Sequence, residues 1–245
     1  MKLTDTKLGG GAYGEVRVAI FRGTRVAAKC LHEIIVSDYN LGVFTREMEI
    51  SARIHHPNIV QFIGATRVDN PILLYELMAT SLHKQLQGRP LTRPQIITIA
   101  SNICSAMCYL HQWKPQPIIH RDISSPNVLM EPLPNDKWKA KLSDFGSANL
   151  QLHIQTKYPG NIAYAAPEAK HPDEHSPAMD IYSFGVLLTE MTLHRVPEMD
   201  SSKRFNTAQD IDWSDMRKIV LMCINNDRTQ RLTSMDILNT IQQTL

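Results

Sequence analysis

Cysteine is scarce in this sequence, since only four of its 245 residues are Cys. A secreted disulfide scaffold would carry more, so the count excludes that class and favours a reducing compartment. Cys104 and Cys108 stand four residues apart in a helical pattern, which places them on one helix face. They form half of a metal site at most, because no CxxC pair or nearby pair of histidines completes one. We therefore expect buried thiols.

Long apolar runs are also missing. No stretch approaches the roughly 18 residues that a membrane-spanning helix requires. The first seven residues, MKLTDTK, lack the apolar segment of a secretory signal peptide. These absences predict a chain with no membrane segment of its own. We expect it in the cytoplasm, either alone or as the cytoplasmic domain of a larger protein.

Charge of one sign is not in excess, because 26 Lys and Arg residues face 24 Asp and Glu residues. No run of five like charges occurs, which argues against a nucleic-acid partner or an anionic membrane surface. Hydrophobic residues make up 43% and charged residues 20%, as is ordinary for a soluble globular protein. The length permits one large domain or two small ones.

The periodicity of apolar residues changes along the chain. Alternating or short apolar runs predict strands in the first third, around one helix, at 15–20, 25–31, 59–65 and 72–77, with the helix at 44–54. Helical spacing dominates the remainder, at 94–113, 180–191, 213–224 and 233–245. A strand-rich part followed by a helix-rich part indicates two lobes with a junction near residues 78–81.

A glycine pattern lies at residues 9–16, where Gly9, Gly11, Gly14 and Val16 form G-x-G-x-x-G-x-V. Glycines let backbone N–H groups approach phosphate oxygens closely. A flexible hairpin turn is the alternative, and a dinucleotide-binding loop would have to lead into a helix. Here a second strand follows, which favours a lid over a nucleotide.

Lys29 ends the run Val-Ala-Ala-Lys on the next predicted strand. A fixed ammonium group neutralises phosphate charge, but its long side chain needs an anionic partner to hold it. Glu47 on the following helix is the candidate partner. Taken alone, Lys29 is also compatible with an ordinary surface lysine.

The strongest signal is His120-Arg121-Asp122, followed by Asn127 and, 17 residues later, by Asp144-Phe145-Gly146. Asp122 is suited to accept a hydroxyl proton, and the side-chain oxygens of Asn127 and Asp144 suit Mg²⁺. Each short motif alone would also fit a helix cap, a surface ion pair or a turn. Their order and spacing behind the glycine pattern and Lys29 argue for one nucleotide site.

Together these motifs resemble a eukaryotic protein kinase catalytic domain, from about residue 7 to residue 244. The resemblance implies an α+β, bilobal fold: a small antiparallel β-sheet lobe with one helix at 1–78, and a larger, mostly helical lobe at 79–245. The match continues through Ala166-Pro167-Glu168 and Asp180 to Arg231. It implies that Glu168 and Arg231 form a buried ion pair, and that Asp180 anchors the loop around Asp122.

The resemblance also implies use of ATP and Mg²⁺. Lys29 would contact the phosphates and pair with Glu47, Asp122 would act as the catalytic base, and Asn127 and Asp144 would hold the metal. The nucleotide would further contact the glycine loop and the adenine pocket, at Gly9, Gly11, Gly14, Val16, Ala27, Glu76, Met78 and Leu129.

Tyr75 falls at the position that closes the back of the adenine pocket in this family, and simple core packing is the alternative role. His120, Phe145 and Phe62 would stack as an internal spine. Its fourth position holds Ser51, where the family usually has an apolar residue. This departure puts the active position of the helix at 44–54 in question.

Patterns around Asn58 and Asp180 resemble the tyrosine-kinase-like group, most of whose members phosphorylate serine or threonine. Ser124 and Asn161 replace the lysine and threonine usual in serine/threonine kinases, so a tyrosine or dual-specificity kinase, or an impaired pseudokinase scaffold, stays open. The expected partners are protein substrates.

Four hydroxyl residues lie between Asp144 and Glu168, namely Ser147, Thr156, Tyr158 and Tyr164. Phosphorylation at Thr156 or Tyr158, in cis or in trans, would order this segment by pairing with Arg121; a plain polar loop is the alternative.

Two surface features also depart from the family pattern. Residues 131–138 lengthen the hairpin between Asn127 and Asp144, and we expect an exposed loop there. The short stretch from 191 to 231 predicts a reduced helix in that region.

Overall fold

An antiparallel sheet forms the N-terminal part of the protein. The computed structural model describes residues 1–11, 14–31, 38–66, 71–150 and 160–244. In these residues the sheet has five strands in the order β1-β2-β3-β5-β4. Their bounds are β1 Lys2–Gly11, β2 Gly14–Phe21, β3 Thr24–Leu31, β4 Phe62–Thr66 and β5 Ile72–Glu76.

The pairing register places the predicted nucleotide residues on adjacent strands. The turn between β2 and β3 contains Arg22 and Gly23, whose φ angles of 49° and 82° give the left-handed backbone of a tight hairpin. Across this hairpin, Val16 pairs with Lys29. On its other side β3 pairs with β5, where Ala27 lies opposite Tyr75. Lys29 is therefore held on a strand with neighbours on both sides.

Helix α1 spans Asp38–Ser51. Both its ends therefore lie earlier in the chain than those of the helix predicted at 44–54. Phe44, Glu47, Ile50 and Ser51 are buried, at the three- and four-residue spacing of one helix face. Two of these four are polar. The helix therefore presents hydrogen-bonding groups, as well as apolar ones, to the interior.

The C-terminal part is mainly helical and contains the larger apolar core. Its helices in the described residues are α2 Leu82–Leu86, α3 Arg93–His111, α4 Pro177–Leu193, α5 Ser201–Gln209, α6 Ser214–Cys223 and α7 Ser234–Thr244. Short strands accompany them, namely β6 Thr80–Ser81, β7 Ile118–Ile119, β8 Val128–Leu133, β9 Lys137–Leu142 and β10 Asn149–Leu150. Helix α4 is buried on nearly all sides, as its apolar sequence predicts. In the part of the chain described, no helix is both long and apolar enough to cross a membrane.

The exposed extension of the hairpin predicted at 131–138 is present, although only part of it is irregular loop. Strands β8 and β9 continue through most of it, and only residues 134–136 form the turn. Asn135 and Asp136 have φ angles of 63° and 56°, which these two residue types tolerate better than most. The polar composition therefore reflects a solvated hairpin rather than irregular backbone. In the described residues, the stretch from 191 to 231 holds two short helices, the nine-residue α5 and the ten-residue α6.

The two parts are joined behind the sheet by backbone pairing. The backbone of Leu142 accepts from Val60 N–H and donates to Asn58 C=O, at 2.9 and 2.8 Å. Nearby, Lys141 Nζ lies 2.5 Å from the Glu76 carboxylate at the end of β5. These contacts connect the sheet to the strand that leads into Asp144.

Candidate active site

Lys29 lies at the centre of a charged cluster. Its Nζ atom donates to both Glu47 carboxylate oxygens at 2.9 and 2.8 Å, and to Asp144 Oδ1 at 2.8 Å. Burial lowers the pKa of Lys29, but the Asp144 and Glu47 carboxylates outweigh this and raise the pKa above its usual range. The ammonium form is therefore held at all physiological pH values, and the predicted contact between Lys29 and Glu47 is present.

Glu47 has a further partner in Tyr75. Its side chain is only 3% exposed, and the Tyr75 hydroxyl donates to Glu47 Oε1 at 2.9 Å. Ser51 Oγ lies 3.3 Å from the same hydroxyl. Because the Tyr75 proton is used toward Glu47, Ser51 donates to Tyr75. The chain of hydrogen bonds gives Tyr75 a role beyond core packing and gives Ser51 a buried partner.

The spine contacts predicted for the aromatic residues are present in part. The His120 and Phe145 rings meet edge to face with centroids 4.9 Å apart. The ring contact found for Phe62 is with Tyr75, at 5.6 Å. Tyr75 thus contacts both Phe62 and Ser51. Its hydroxyl group is the partner of Ser51, the polar residue at the fourth position of the spine.

Asp180 organises the backbone of the loop that carries Asp122. It is fully buried on α4, and its two carboxylate oxygens accept from the backbone N–H groups of His120 and Arg121, both at 2.8 Å. His111 Nε2 lies 2.9 Å from the same carboxylate. Burial raises the pKa of Asp180, but the hydrogen bond to His111 and the electrostatic effects of His111 and His120 lower it overall. Asp180 therefore stays ionised, and the anchoring role that the sequence resemblance implies has its geometry.

Asp122 is held between two loop segments. Its Oδ1 atom accepts from the backbone N–H of Asn161 at 2.8 Å, and its backbone C=O accepts from Asn127 Nδ2 at 3.0 Å. Burial raises the pKa of Asp122, and Asp144 acts in the same direction against His120 and the Asn161 N–H. The adjoining Gly160 has φ 75°, and a Cβ atom there would lie 2.4 Å from the Arg121 carbonyl oxygen. Only glycine permits this approach without displacement.

Asp144 projects toward the cluster from a left-handed backbone with φ 61°. Gly146 N–H donates to Asp144 Oδ1 at 3.1 Å. A Cβ atom on Gly146 would lie 3.1 Å from Asp144 Oδ1 and 3.2 Å from Glu47 Oε2. Burial raises the pKa of Asp144, but Lys29 and the Gly146 N–H lower it overall, so the carboxylate is ionised.

The donor set of Asn127 and Asp144 fits Mg²⁺. Asn127 uses its amide N–H₂ toward Asp122, and Asp144 uses Oδ1 toward Lys29. Among the hydrogen bonds of the described residues, none occupies Asn127 Oδ1 or Asp144 Oδ2, and the Asp144 side chain is 42% exposed. Mg²⁺ is usually bound by one or two such oxygens together with substrate phosphates and water. Within the described ranges, no group of three or more His, Cys, Asp or Glu residues is placed to hold a metal ion.

The predicted nucleotide contacts are distributed around this cluster. Gly9, Gly11 and Gly14 lie where β1 pairs with β2, beside residues 12 and 13, which are outside the described residues. Val16 and Ala27 lie on the neighbouring strands β2 and β3, and Leu129 lies on β8 of the C-terminal part. Glu76 ends β5, and Met78 follows in the connection to β6. The predicted nucleotide contacts thus come from both the sheet and β8, and one of them, Val16, pairs directly with Lys29.

Glu168 and Arg231 form the buried ion pair that the resemblance implies. Two Arg231 nitrogens donate to the two Glu168 oxygens at 2.5 and 2.9 Å. The Arg231 guanidinium also lies over the Tyr182 ring of α4, 4.9 Å from its centroid. The pair therefore connects Glu168, in the segment that follows Asn161, to the helices of the C-terminal part.

Sequence reasoning did not single out Ser125 and Glu190. Both are buried, and they meet the equally buried Tyr164 in a hydrogen-bonded cluster. One signal was available: Glu190 is a lone carboxylate in the otherwise uncharged helix segment 181–193.

Thr156 and Tyr158 lie outside the described residues, so their proposed phosphorylation stays a prediction. Cys104 is buried, with Sγ 3.0 Å from the Ser234 carbonyl oxygen.

The comparison with family models decides the classification. The model described as "Protein kinase domain" matches residues 3–241. The chain belongs to the protein kinase family. The arrangement of the antiparallel sheet before the helical part agrees with this α+β, bilobal fold.

Similar proteins include kinases of several named specificities. The Dictyostelium discoideum "Seven transmembrane domain-containing tyrosine-protein kinase 1" is 32% identical over 91% of this chain and 36% of its own length. The Arabidopsis thaliana "Serine/threonine-protein kinase VIK" is 30% identical over 96% of this chain and 58% of its own. "Serine/threonine-protein kinase CTR1" from Arabidopsis thaliana is 33% identical over 78% of this chain and 24% of its own. The chain thus spans less than two thirds of each of these relatives, from 24 to 58% of their length. It resembles the tyrosine-kinase-like group among them.

Proposed function

We propose that this kinase domain transfers the γ-phosphate of ATP, with Mg²⁺, to hydroxyl groups of protein substrates. The observation that carries the proposal is the position of Lys29 Nζ, within 2.9 Å of both Glu47 and Asp144. Such a pair fixes an ammonium group for phosphate contact and brings the metal-binding Asp144 beside it. Residues 1–78 and 79–245 are the two proposed lobes, with the nucleotide between them.

The proposed roles follow from the geometry of each side chain. Lys29 orients the α- and β-phosphates while Glu47 holds the ammonium in place. Asn127 and Asp144 supply oxygen ligands, and bound Mg²⁺ neutralises charge on the phosphates. The backbone of Gly9, Gly11 and Gly14 covers the phosphates. The adenine lies between the apolar side chains and the end of β5, at Val16, Ala27, Leu129, Glu76 and Met78.

Asp122 is the proposed base. The substrate oxygen forms a bond to the γ-phosphorus while the bond from that phosphorus to the bridging β,γ-oxygen breaks and ADP leaves, and the hydroxyl proton passes to the Asp122 carboxylate. The Asn161 N–H holds that carboxylate in place at 2.8 Å. The pKa of Asp122 is raised by burial, which brings it closer to the working pH and improves proton acceptance.

Serine and threonine are the proposed acceptors. Relatives named as serine/threonine kinases support this, while one named as a tyrosine kinase supports the opposite specificity. The side chain of Ser124, two residues after Asp122, is a buried hydroxyl and supplies no positive charge to the transferring phosphate. We therefore expect modest turnover.

The free thiols of all four cysteines support a reducing, cytoplasmic location.

Phosphosite mapping by mass spectrometry tests the proposal. The protein is incubated with Mg²⁺-ATP and a mixed protein substrate, beside a Lys29→Met variant shown to be folded. Phosphate on serine or threonine, absent with the variant, is the expected result. Phosphotyrosine would overturn the acceptor assignment, and absence of any transfer by folded protein would favour a scaffold role for the domain.

A further inference from the structure

Strand β1 is irregular directly before the glycine pattern. Among the described residues, it lies at one edge of the five-stranded sheet and has β2 as its strand neighbour. Lys7 pairs with Arg17 and Gly9 pairs with Val16, so β1 advances two residues where β2 advances one. Leu8 is therefore the extra residue of a β-bulge, which interrupts the regular pairing of the strand and bends it.

A lysine of the C-terminal part reaches this bulge. Lys84 lies on α2, and its Nζ atom donates to the backbone C=O of Leu8 at 3.2 Å. Among the hydrogen bonds of the described residues, this is the one that joins β1 to the C-terminal part. The strand that carries Gly9 and Gly11 is thus attached to the other part of the molecule at its bulge.

Helix α2 is itself held firmly within the C-terminal part. Ser81 Oγ accepts from the backbone N–H of Lys84 at 3.3 Å and so caps the first turn of the helix. Leu82 is fully buried, and Ser81 pairs with Leu129 on β8. The Lys84 side chain therefore extends to β1 from an element whose position is fixed by packing and by strand pairing.

The backbone that follows the bulge has few other supports. Three consecutive glycines end β1, and glycine loses more conformational freedom on ordering than any other residue. A Cβ atom on Gly9 would meet nothing within 4 Å, so no described group packs closely against the strand there. The hydrogen bond at Leu8 therefore restricts a segment that side-chain packing leaves unrestricted.

We propose that Lys84 is a positioning residue that holds the glycine pattern of β1 over a bound nucleotide. The bond fixes Leu8 relative to α2, and Gly9 follows Leu8 directly in the chain. Loss of the bond would let this end of β1 move away, and the nucleotide would leave sooner. A protein substrate at Asp122 contacts the C-terminal part and would be affected little. The inference rests on the proposed function for the position of the nucleotide.

Lys84→Met tests the inference, because it keeps an unbranched side chain of similar length and removes the donor. Release of an ADP analogue that carries a fluorescent methylanthraniloyl group is followed by stopped flow in the presence of Mg²⁺. We expect release about threefold faster, the effect of losing one exposed hydrogen bond, with the KM for ATP raised similarly and the KM for a peptide substrate within about twofold. Lys84→Arg retains a donor and should release the analogue at nearly the wild-type rate.

Lys218→Met is the matched control. It removes an exposed lysine of α6 whose ion pair, with Asp215 at 3.4 Å, lies within its own helix. Hydrogen exchange adds a readout that needs neither nucleotide nor catalysis. Amides at residues 8–11 and 14–16 should exchange several-fold faster in Lys84→Met than in the wild type, in Lys84→Arg and in Lys218→Met.

The outcomes separate this inference from the proposed function. Faster release in Lys84→Met from a protein that transfers no phosphate would support the inference and defeat the proposed function. Phosphate transfer by the wild type with unchanged release in Lys84→Met would do the reverse. Unchanged hydrogen exchange, equal effects in Lys218→Met, or a peptide KM raised as much as that for ATP would overturn the inference. A folded wild type that does not bind the analogue would overturn both.

Discussion

At the scale of single residues, the charged side chains of the site were predictable and their hydrogen-bonded supports were not. Lys29, Asp122 and Asp144 occur in short motifs whose residue types are dictated by phosphate, proton and metal chemistry. In the sequence, Ser51 was a polar departure from an apolar spine. In the structure, Ser51 Oγ lies 3.3 Å from the Tyr75 hydroxyl, which donates to Glu47. Such partners come from segments distant in sequence, so a local pattern carries no signal for them.

Tyr75→Phe should destabilise the protein. The substitution removes one of the bonds to buried Glu47 and leaves Ser51 Oγ without its partner. We expect the free energy of unfolding to fall by about 1–2 kcal/mol in urea denaturation. Tyr182→Phe is the control, because the buried Tyr182 hydroxyl makes no hydrogen bond among those of the described residues, and it should lower the free energy of unfolding less than Tyr75→Phe does. A Tyr75→Phe variant as stable as the wild type would show that the hydrogen-bonded chain contributes nothing.

The raised pKa of Asp122 predicts the acid side of the pH profile. Proton acceptance needs the ionised carboxylate, so kcat should fall as pH drops through the folded-state pKa. Because burial raises that pKa, the midpoint should lie above the ordinary Asp value of about 3.9. Tryptophan fluorescence at each pH verifies that the protein remains folded. A midpoint at or below the ordinary value would contradict the environment described for Asp122.

At the scale of elements, periodicity predicted the types of the long elements better than their ends. Helix α4 was recognised by its continuous apolar sequence, and β2 and β3 by a hairpin around residues 22–24. The hairpin between Asn127 and Asp144 was predicted, but β8 and β9 extend further into residues 131–138 than the expected exposed loop allowed. The strand conformation of these residues depends on backbone pairing between β8 and β9, which the composition of the segment does not predict.

The contact between α4 and α6 depends on Gly185. A Cβ atom there would lie 2.6 Å from Cys223 Cβ and 2.7 Å from Ile224 Cγ2. Gly185→Ala should therefore force the helices apart and cost about 1–3 kcal/mol of unfolding free energy. Gly42→Ala is the matched control: a Cβ on this exposed residue of α1 meets nothing within 4 Å. Its better helix propensity should stabilise the protein by about 0.5–1 kcal/mol. Thermal denaturation of both variants decides, and equal shifts would refute the steric account.

At the scale of the whole molecule, the sheet supplies Lys29 and α1 supplies Glu47, while Asp122, Asn127 and Asp144 come from the C-terminal part. The bond from Lys29 to Asp144 and the pairing of Leu142 with Val60 connect the two parts. The motif order predicted that these residues belong to one site. Their distances depend on how the parts are joined, which the sequence alone did not provide.

The most direct measurement is radiolabelled phosphate transfer by Asp122→Asn compared with the wild type. The variant keeps the size of the side chain and the acceptor for the Asn161 N–H but loses the basic carboxylate. We predict a fall in kcat of about 10²–10⁴-fold, the usual contribution of a general base, with Mg²⁺-ATP still stabilising the folded variant against heat. Transfer by Asp122→Asn at the wild-type rate would contradict the assignment of this site as the centre of phosphate transfer.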